Sequence, residues 1–403
     1  MNTRSKIALA GAVVLALSGP LVAGTPSAFA SASASAAGPA PLVRAADRVP
    51  GEYIVTLDKR IDPAGTAAKL GLKPAFFYNT VLNGFAVRLT PQQLTLVRGS
   101  LGVEAVEEDG KVAVPDPATA STPAVRLGPA ASSWGLDRID QRDLPLDGKF
   151  ITTGNGAGVT AYILDTGIDY GHSEFGGRAT FGFDAVADGR DGADCNGHGT
   201  HVAGTVGGNT YGVATKASLV SVRVLDCRGN GDDSAVIAGL DWVAKHAVQP
   251  AVLNASIGGE KSPALNTATT ALSDAGVLPV LAAGNDAKDA CEQSPASAQR
   301  VVTVAASNRS DEQSTFSNWG PCVNLYAPGE GILSAKLGGG SASRNGTSMA
   351  APHATGVAVL YKQEHPAANP AETAEFLETT ATRNVLTKLN PTSPNALLFT
   401  DGL

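Results

Sequence analysis

The sequence is poor in charge and in aromatic rings. Charged residues make up 17% of its 403 positions, aromatics 5%, and there are two methionines. So little charge, with apolar runs that recur along the chain, excludes a disordered protein. The net charge of −7 argues against binding a phosphate backbone as the main task. None of the four cysteines sits in a C-x-x-C pair, which argues against zinc ribbons and dithiol redox chemistry. Beyond the N-terminus no apolar run is long enough to span a bilayer. The 46 glycines have no period of three, which excludes collagen, and no internal repeat is evident. Small residues dominate, as expected for tight turns and thin loops. The length suggests two or three domains at roughly 100–200 residues each.

The N-terminus reads as a secretory signal peptide over residues 1–30. Arg4 and Lys6 precede the apolar run 7–17, and Ala28-Phe29-Ala30 offers small residues at a cleavage site. Pro20 and the Ser/Ala-rich sequence that follows argue against a membrane anchor. Residues 31–48 read as a flexible leader. An exported chain with an even number of cysteines (Cys195, Cys227, Cys291, Cys322) is expected to form two disulfides, with three connectivities open.

Residues 49–114 read as a small α+β domain. Strands are expected over 53–57, 85–89 and 103–107, and helices over 63–70 and 91–97, each helix opening with a cap residue then proline (Asp62-Pro63, Thr90-Pro91). Residues 115–133, rich in Pro, Ala, Ser and Thr, read as a linker and cleavage zone. From 134 to 403 near-continuous apolar runs (159–164, 219–225, 252–254, 277–282, 301–305) alternate with helical segments (234–246, 263–275, 347–364). This predicts an α/β domain with a largely parallel sheet covered by helices on both faces.

In such a domain the site lies outside the carboxyl ends of the strands. Asp165 ends the first apolar run there. Asn196-Gly-His198-Gly-Thr-His201 starts a helix with His198 in its first turn. Asn345-Gly-Thr-Ser348 places a serine at the positive end of an Ala-rich helix. Each alone has a plain alternative: a turn aspartate, a structural histidine or half of an H-x-x-H zinc pair, an N-cap serine. H-x-x-H lacks the glutamate of H-E-x-x-H. Together they supply a nucleophile, a base and an orienting carboxylate, in the order Asp165, His198, Ser348. Asn285, ending Ala283-Gly284-Asn285, can donate to a developing oxyanion beside the Ser348 N–H.

On these motifs, with Ile163-Leu-Asp-Thr-Gly167 and Gly346-Thr-Ser-Met-Ala350, the chain resembles the subtilase family of serine proteases. It is most similar to the proteinase K branch and, within that, to secreted aqualysin-type enzymes. The likeness runs from Trp134 to about Pro366. Residues 51–114, including Asn83-Gly84-Phe85, resemble the family's inhibitory prodomain.

The resemblance implies a subtilisin-like fold behind a ferredoxin-like prodomain. It implies a secreted endopeptidase acting on polypeptides, autoprocessed from a precursor whose prodomain aids folding and then blocks the cleft. It implies that Ser256, Ile257 and Gly258 face Ala283 and Gly284 along the S1 pocket, and that Gly229, Asn230 and Gly231 form an edge pairing with extended substrate. Asp233 falls near an aromatic distal-subsite residue of proteinase K. The disulfides are implied as Cys195–Cys227 and Cys291–Cys322. The chemistry needs no cofactor, but Asp137, Asp140 and Gln141 match a structural calcium site; the plain alternative is acids neutralised by Arg138 and Arg142. At a second calcium position the usual aspartate is Asn324. A monomer is expected, with no nucleic acid partner and no membrane partner after signal cleavage. The rival functions are a binding protein on the same scaffold, an esterase or acyltransferase, and a zinc hydrolase.

Overall fold

A nine-stranded sheet organises the larger part of the molecule. Across it run Thr382–Arg383, Ala396–Leu397, Leu325–Pro328, Val302–Ser307, Leu278–Ala282, Ala251–Ala255, Thr160–Asp165, Ser218–Arg223 and Ala179–Asp184. All neighbours are parallel except the first pair. The computed structural model describes residues 38–115 and 132–403. The signal peptide, leader residues 31–37 and linker residues 116–131 lie outside the described residues. Pro39–Leu403 form one compact unit.

Alternation explains why the strands are apolar throughout. Ala161 and Ile163 enter one core with the helices His198–Gly207 and Thr347–Glu364, while Tyr162 and Leu164 enter a second core with Asp233–His246 and Pro263–Asp274. A strand covered on both faces has no polar side to show. The expected helices are present to within a residue or two. The helix Pro370–Thr380 was not expected from the sequence. Its signal lies in Asn369-Pro370-Ala-Glu372, a cap, a proline and a reciprocal capping glutamate. No helix among the described residues is long and apolar enough to cross a membrane.

The N-terminal domain has the expected strand–helix–strand–helix–strand order, with three differences. Phe76–Tyr78 adds a strand beside Gly84–Arg88. The leader is not flexible throughout: Leu42–Val43 pairs in parallel with Val106 and Glu107, and Ala40 is buried. The last strand runs over Val103–Ala113, well past 107, because its far half continues between two segments of the larger domain.

One face of this small sheet, with Val55, Leu57, Phe85 and Val106, packs under the domain's own helices. Ile54, Tyr78 and Ala86 on the other face join the second core of the larger domain. The small domain therefore completes its burial on the larger one.

Arg138 is fully buried and donates Nε and Nη2 to the two carboxylate oxygens of Asp311, at 2.7 and 3.0 Å. Removing one partner of such a pair strands a buried charge. Asp311→Ala should therefore cost about 3–5 kcal/mol, read as a lowered guanidinium midpoint; an unchanged midpoint would contradict this role for the pair.

Candidate active site

Asp165 ends its strand at the carboxyl edge and is completely buried. Its Oδ1 accepts from the Thr166 N–H at 2.7 Å. His198 Nδ1 lies 2.8 Å from Asp165 Oδ1 and 3.0 Å from Oδ2. Facing a carboxylate, Nδ1 carries the proton, and Nε2 of the neutral ring is left with the basic lone pair.

His198 opens the helix His198–Gly207, preceded by Gly197 at φ 97°, where glycine is favoured. A Cβ on Gly199 would stand 2.2 Å from the Gly167 carbonyl oxygen, so only glycine lets the helix approach Asp165 this closely. Asp194 secures the turn. Its Oδ1 accepts from the Asn196 and Gly197 N–H groups and the Thr166 hydroxyl, and its Oδ2 from the Thr200 N–H and hydroxyl. Sequence reasoning missed Asp194; the signal was an aspartate four residues ahead of a glycine-flanked helix start.

Ser348 is the second residue of the helix Thr347–Glu364, which packs beside the helix of His198. Its hydroxyl donates to the Ser256 carbonyl at 3.3 Å, while the Ser256 hydroxyl donates to the Ser348 carbonyl at 2.9 Å. Asn254 Nδ2 donates to Ser256 Oγ, and Thr355 donates to Asn254 Oδ1, locking this contact from behind. Asn285 Oδ1 accepts from the Thr347 N–H and hydroxyl, at 2.9 and 2.8 Å. With its oxygen so held, the amide turns its Nδ2 toward Gly346, 3.1 Å from where a Cβ there would sit. That NH₂ thus lies on the Ser348 side.

The edge segment and the Ser256–Gly258 stretch flank a cleft that already contains a strand. Lys111, Val112 and Ala113 pair antiparallel with Asp232, Gly231 and Asn230, and the Val114 N–H donates to the Gly229 carbonyl at 2.9 Å. On the other side Val112 and Ala113 pair with Gly259 and Gly258. A Cβ on Gly259 would lie 2.6 Å from the Lys111 carbonyl oxygen, so the close approach requires glycine. Ile257 is buried in the second core and can meet a ligand only through its backbone. Ala283 is also buried, and its carbonyl accepts from Asn318 Nδ2.

Val112, 1% exposed, fills an apolar site in the second core. Asp233 meets the strand farther along. A Cβ on Gly110, two residues earlier in the strand, would stand 2.5 Å from Asp233 Oδ2.

The contact between the domains is lined with carboxylates that accept from main-chain donors. Asp241 Oδ1 receives the N–H groups of Asn79, Thr80 and Val81. Glu107 receives the Ser262 hydroxyl and Ala264 N–H, and Asp109 the Ser234 N–H, so both satisfy donors at helix N-termini. Burial pushes Asp109 up to about 7, and burial with the charges of Asp109 and Glu107 raises Asp233 well above its ordinary value.

Disulfides join Cys195 to Cys227 and Cys291 to Cys322, the pairing the resemblance implied. The first ties the turn before His198 to the turn before Asn230. His201 is not placed as a zinc ligand beside His198, because its Nε2 faces the carbonyls of Ile332 and Ala342 at 3.1 and 3.0 Å. Burial holds its pKa down near 3.

Arg138 and Arg142 do not neutralise Asp137 and Asp140; they pair with Asp311 and Asp401. Asp137 Oδ2 accepts from the Gly148 N–H, Asp140 Oδ2 from the Ile151 N–H, and Gln141 Oε1 from the Asp147 N–H. Asp137 Oδ1 is buried with no hydrogen-bond partner among the described residues. Burial, with the nearby charges of Asp137 and Asp147, raises Asp140 to about 6. Asn324, by contrast, spends its amide on the Thr303 N–H and Glu378.

A family model described as the subtilase family matches residues 156–399, and one described as peptidase inhibitor I9 matches residues 75–114. The chain is 45% identical over 393 residues to an extracellular serine proteinase of Thermus sp. (strain Rt41A), covering 90% of this chain and 92% of that one. It is 46% identical over 318 residues to alkaline serine exoprotease A of Vibrio alginolyticus, covering 79% and 58% respectively. The solved structure of a cold adapted subtilisin-like serine proteinase matches with a TM-score of 0.65 and 50% identity, over 66% of this chain and 97% of that one.

The interface acids set a pH dependence. Asp109 faces Asp233, Asp232, Glu52 and the Ser234 N–H, with Glu107 and Lys111 alongside. Its value is raised in the assembled state, so its contribution is complete below its ordinary pKa of 3.8 and lost as pH rises through about 7. Amide protection in Val103–Ala113, corrected for intrinsic exchange, should drop from about pH 6 to about pH 8. Asp109→Asn should flatten the drop; an identical drop in that variant would assign it to another group.

Proposed function

Since the chain belongs to the subtilase family, a family of serine endopeptidases, we propose that Asp165, His198 and Ser348 are its catalytic triad, with Asn285 in the oxyanion site. One observation carries this reading. Both Asp165 oxygens hold His198 Nδ1, on the same sheet edge where Ser348 heads a helix and Asn285 is oriented by Thr347.

Ser348 Oγ attacks the peptide carbonyl while His198 Nε2 takes its proton. Asp165 keeps the imidazole in the needed tautomer and stabilises its charged form. The tetrahedral oxyanion accepts from Asn285 Nδ2 and the Ser348 N–H. His198 then protonates the leaving amine, and the acyl-enzyme forms. Water, deprotonated by His198, releases the acid.

The hydrogen bond from Ser348 to Ser256 is the resting arrangement that substrate engagement replaces. The substrate's acyl side adds as a strand between Asn230–Asp232 and Gly258–Glu260, where the prodomain strand now lies. The prodomain is thus a substrate-like occupant of the cleft, supporting intramolecular inhibition. We place self-cleavage in the linker 115–133 and export under the signal peptide 1–30. The mature enzyme is read as a secreted monomer.

Asp137, Asp140 and Gln141 suit a structural calcium ion. The orphaned Asp137 Oδ1 and the mutual repulsion of Asp137 and Asp140 are what a hard divalent cation relieves. The ion would supply charge neutralisation and take no part in the reaction.

Ser348→Ala should abolish both adduct formation with a fluorophosphonate and self-processing, read by intact mass; a variant that still cut its own linker would refute the nucleophile. Asn285→Ala should retain weak turnover, with kcat lower by about 10²–10³. Chelation should lower the Tm of the processed enzyme, and calcium should restore it. In Asp137→Asn the Tm should no longer respond; a full response there would move the ion elsewhere.

A further inference from the structure

The acyl-side cleft continues past the apolar site of Val112, and Asp233 waits there. In the strand that fills the cleft, Val112 pairs with Gly231 and Lys111 with Asp232, and the next residue back is Gly110. A Cβ at that position would lie 2.5 Å from Asp233 Oδ2, so a side chain there comes up against the Asp233 carboxylate. Asp233 is 3% exposed, and its Oδ1 has no hydrogen-bond partner among the described residues. We propose that Asp233 is a specificity-determining residue of the processed enzyme, selecting a lysine or arginine two residues N-terminal to the side chain that fills the apolar Val112 site. This rests on the endopeptidase reading and adds a subsite beyond that apolar one.

Three observations carry it. First, the far end of the cleft is acidic on the enzyme's side: Asp232 adjoins Asp233, and Glu260 lies across the strand. Nearby cations are engaged elsewhere, Arg228 with Asp226 and Lys261 with the Cys291 carbonyl. Second, the bound prodomain meets these acids chiefly with backbone, the Lys111 ammonium being paired with the prodomain's own Asp47 at 2.6 Å. Glu260 accepts from the Ala46 and Asp47 N–H groups, and Lys111 stands opposite Asp232. Third, at Asp233 the prodomain offers the Gly110 N–H but no cation, and its Asp109 and Glu107 come up against the carboxylate.

When the prodomain leaves, Glu107 and Asp109 leave with it. Asp233 then faces water as a carboxylate beside Asp232. An incoming side chain must push that carboxylate aside, a small shift for the end of a side chain. An ammonium or guanidinium gains an ion pair there, a neutral chain gains nothing, and a carboxylate is repelled.

The test uses processed enzyme and three peptides identical except for Lys, Gln or Glu at this position, each with valine for the apolar site. The expected order of kcat/KM is Lys, then Gln, then Glu. Each step is about two- to fivefold at low ionic strength and shrinks toward one in about 1 M salt. Asp233→Asn should collapse the Lys-to-Glu ratio, and Asp233→Lys should invert it. The salt dependence of the wild-type ratio needs no variant, so a variant that failed to fold would not shield the proposal. Equal rates for the three peptides would overturn it, as would a charge order that survives Asp233→Asn. If none of the peptides were cut, the endopeptidase reading would fall, and this inference with it.

Discussion

A carboxylate buried at the end of a parallel strand has to be paired, and the site is built around meeting that demand for Asp165. An isolated charge there would be prohibitively costly. The pairing requires a helix start close enough to bring His198 within 2.8 Å. That approach depends on Gly199 lacking a Cβ, on the left-handed turn at Gly197, and on Asp194 collecting the turn's N–H groups and hydroxyls. The disulfide Cys195–Cys227 ties this turn to the edge segment. His198 and the strand-pairing backbone at Asn230 are thus positioned by one piece of structure.

The same rule governs the junction between the domains, with less complete compensation. Glu107, Asp109 and Asp241 are satisfied by main-chain and hydroxyl donors, several at helix N-termini. Asp233 is satisfied less fully, its Oδ1 having no partner among the described residues, and it shares a buried space with two of those acids. The prodomain therefore combines strong strand pairing in the cleft with an electrostatic fault at its edge.

Much of this was legible in the sequence where local chemistry is decisive. Apolar runs bounded by glycine marked buried parallel strands. Caps followed by proline marked helix starts at Pro63 and Pro91. Asp165, His198, Asn285 and Ser348 were legible because each ends a strand or begins a helix next to glycine. Pro370–Thr380 carries the same kind of signal in its capping box, Asn369 with Glu372. The pairing of the leader was not legible because its composition is low in complexity, yet Leu42 and Val43 find an edge to pair with.

The sequence by itself determined the fold class, the order of the chemical groups along the chain and the even set of cysteines, since each follows from residue type and spacing. Only the tertiary structure decided what depends on neighbours far away in the chain. It sent Arg138 to Asp311 and away from Asp137 and Asp140, seated Val112 in the apolar site, and set Asp233 against Gly110. Register and burial decide these contacts, because a strand moved by one residue presents the opposite set of side chains and a buried carboxylate takes whichever donor the packing brings to it.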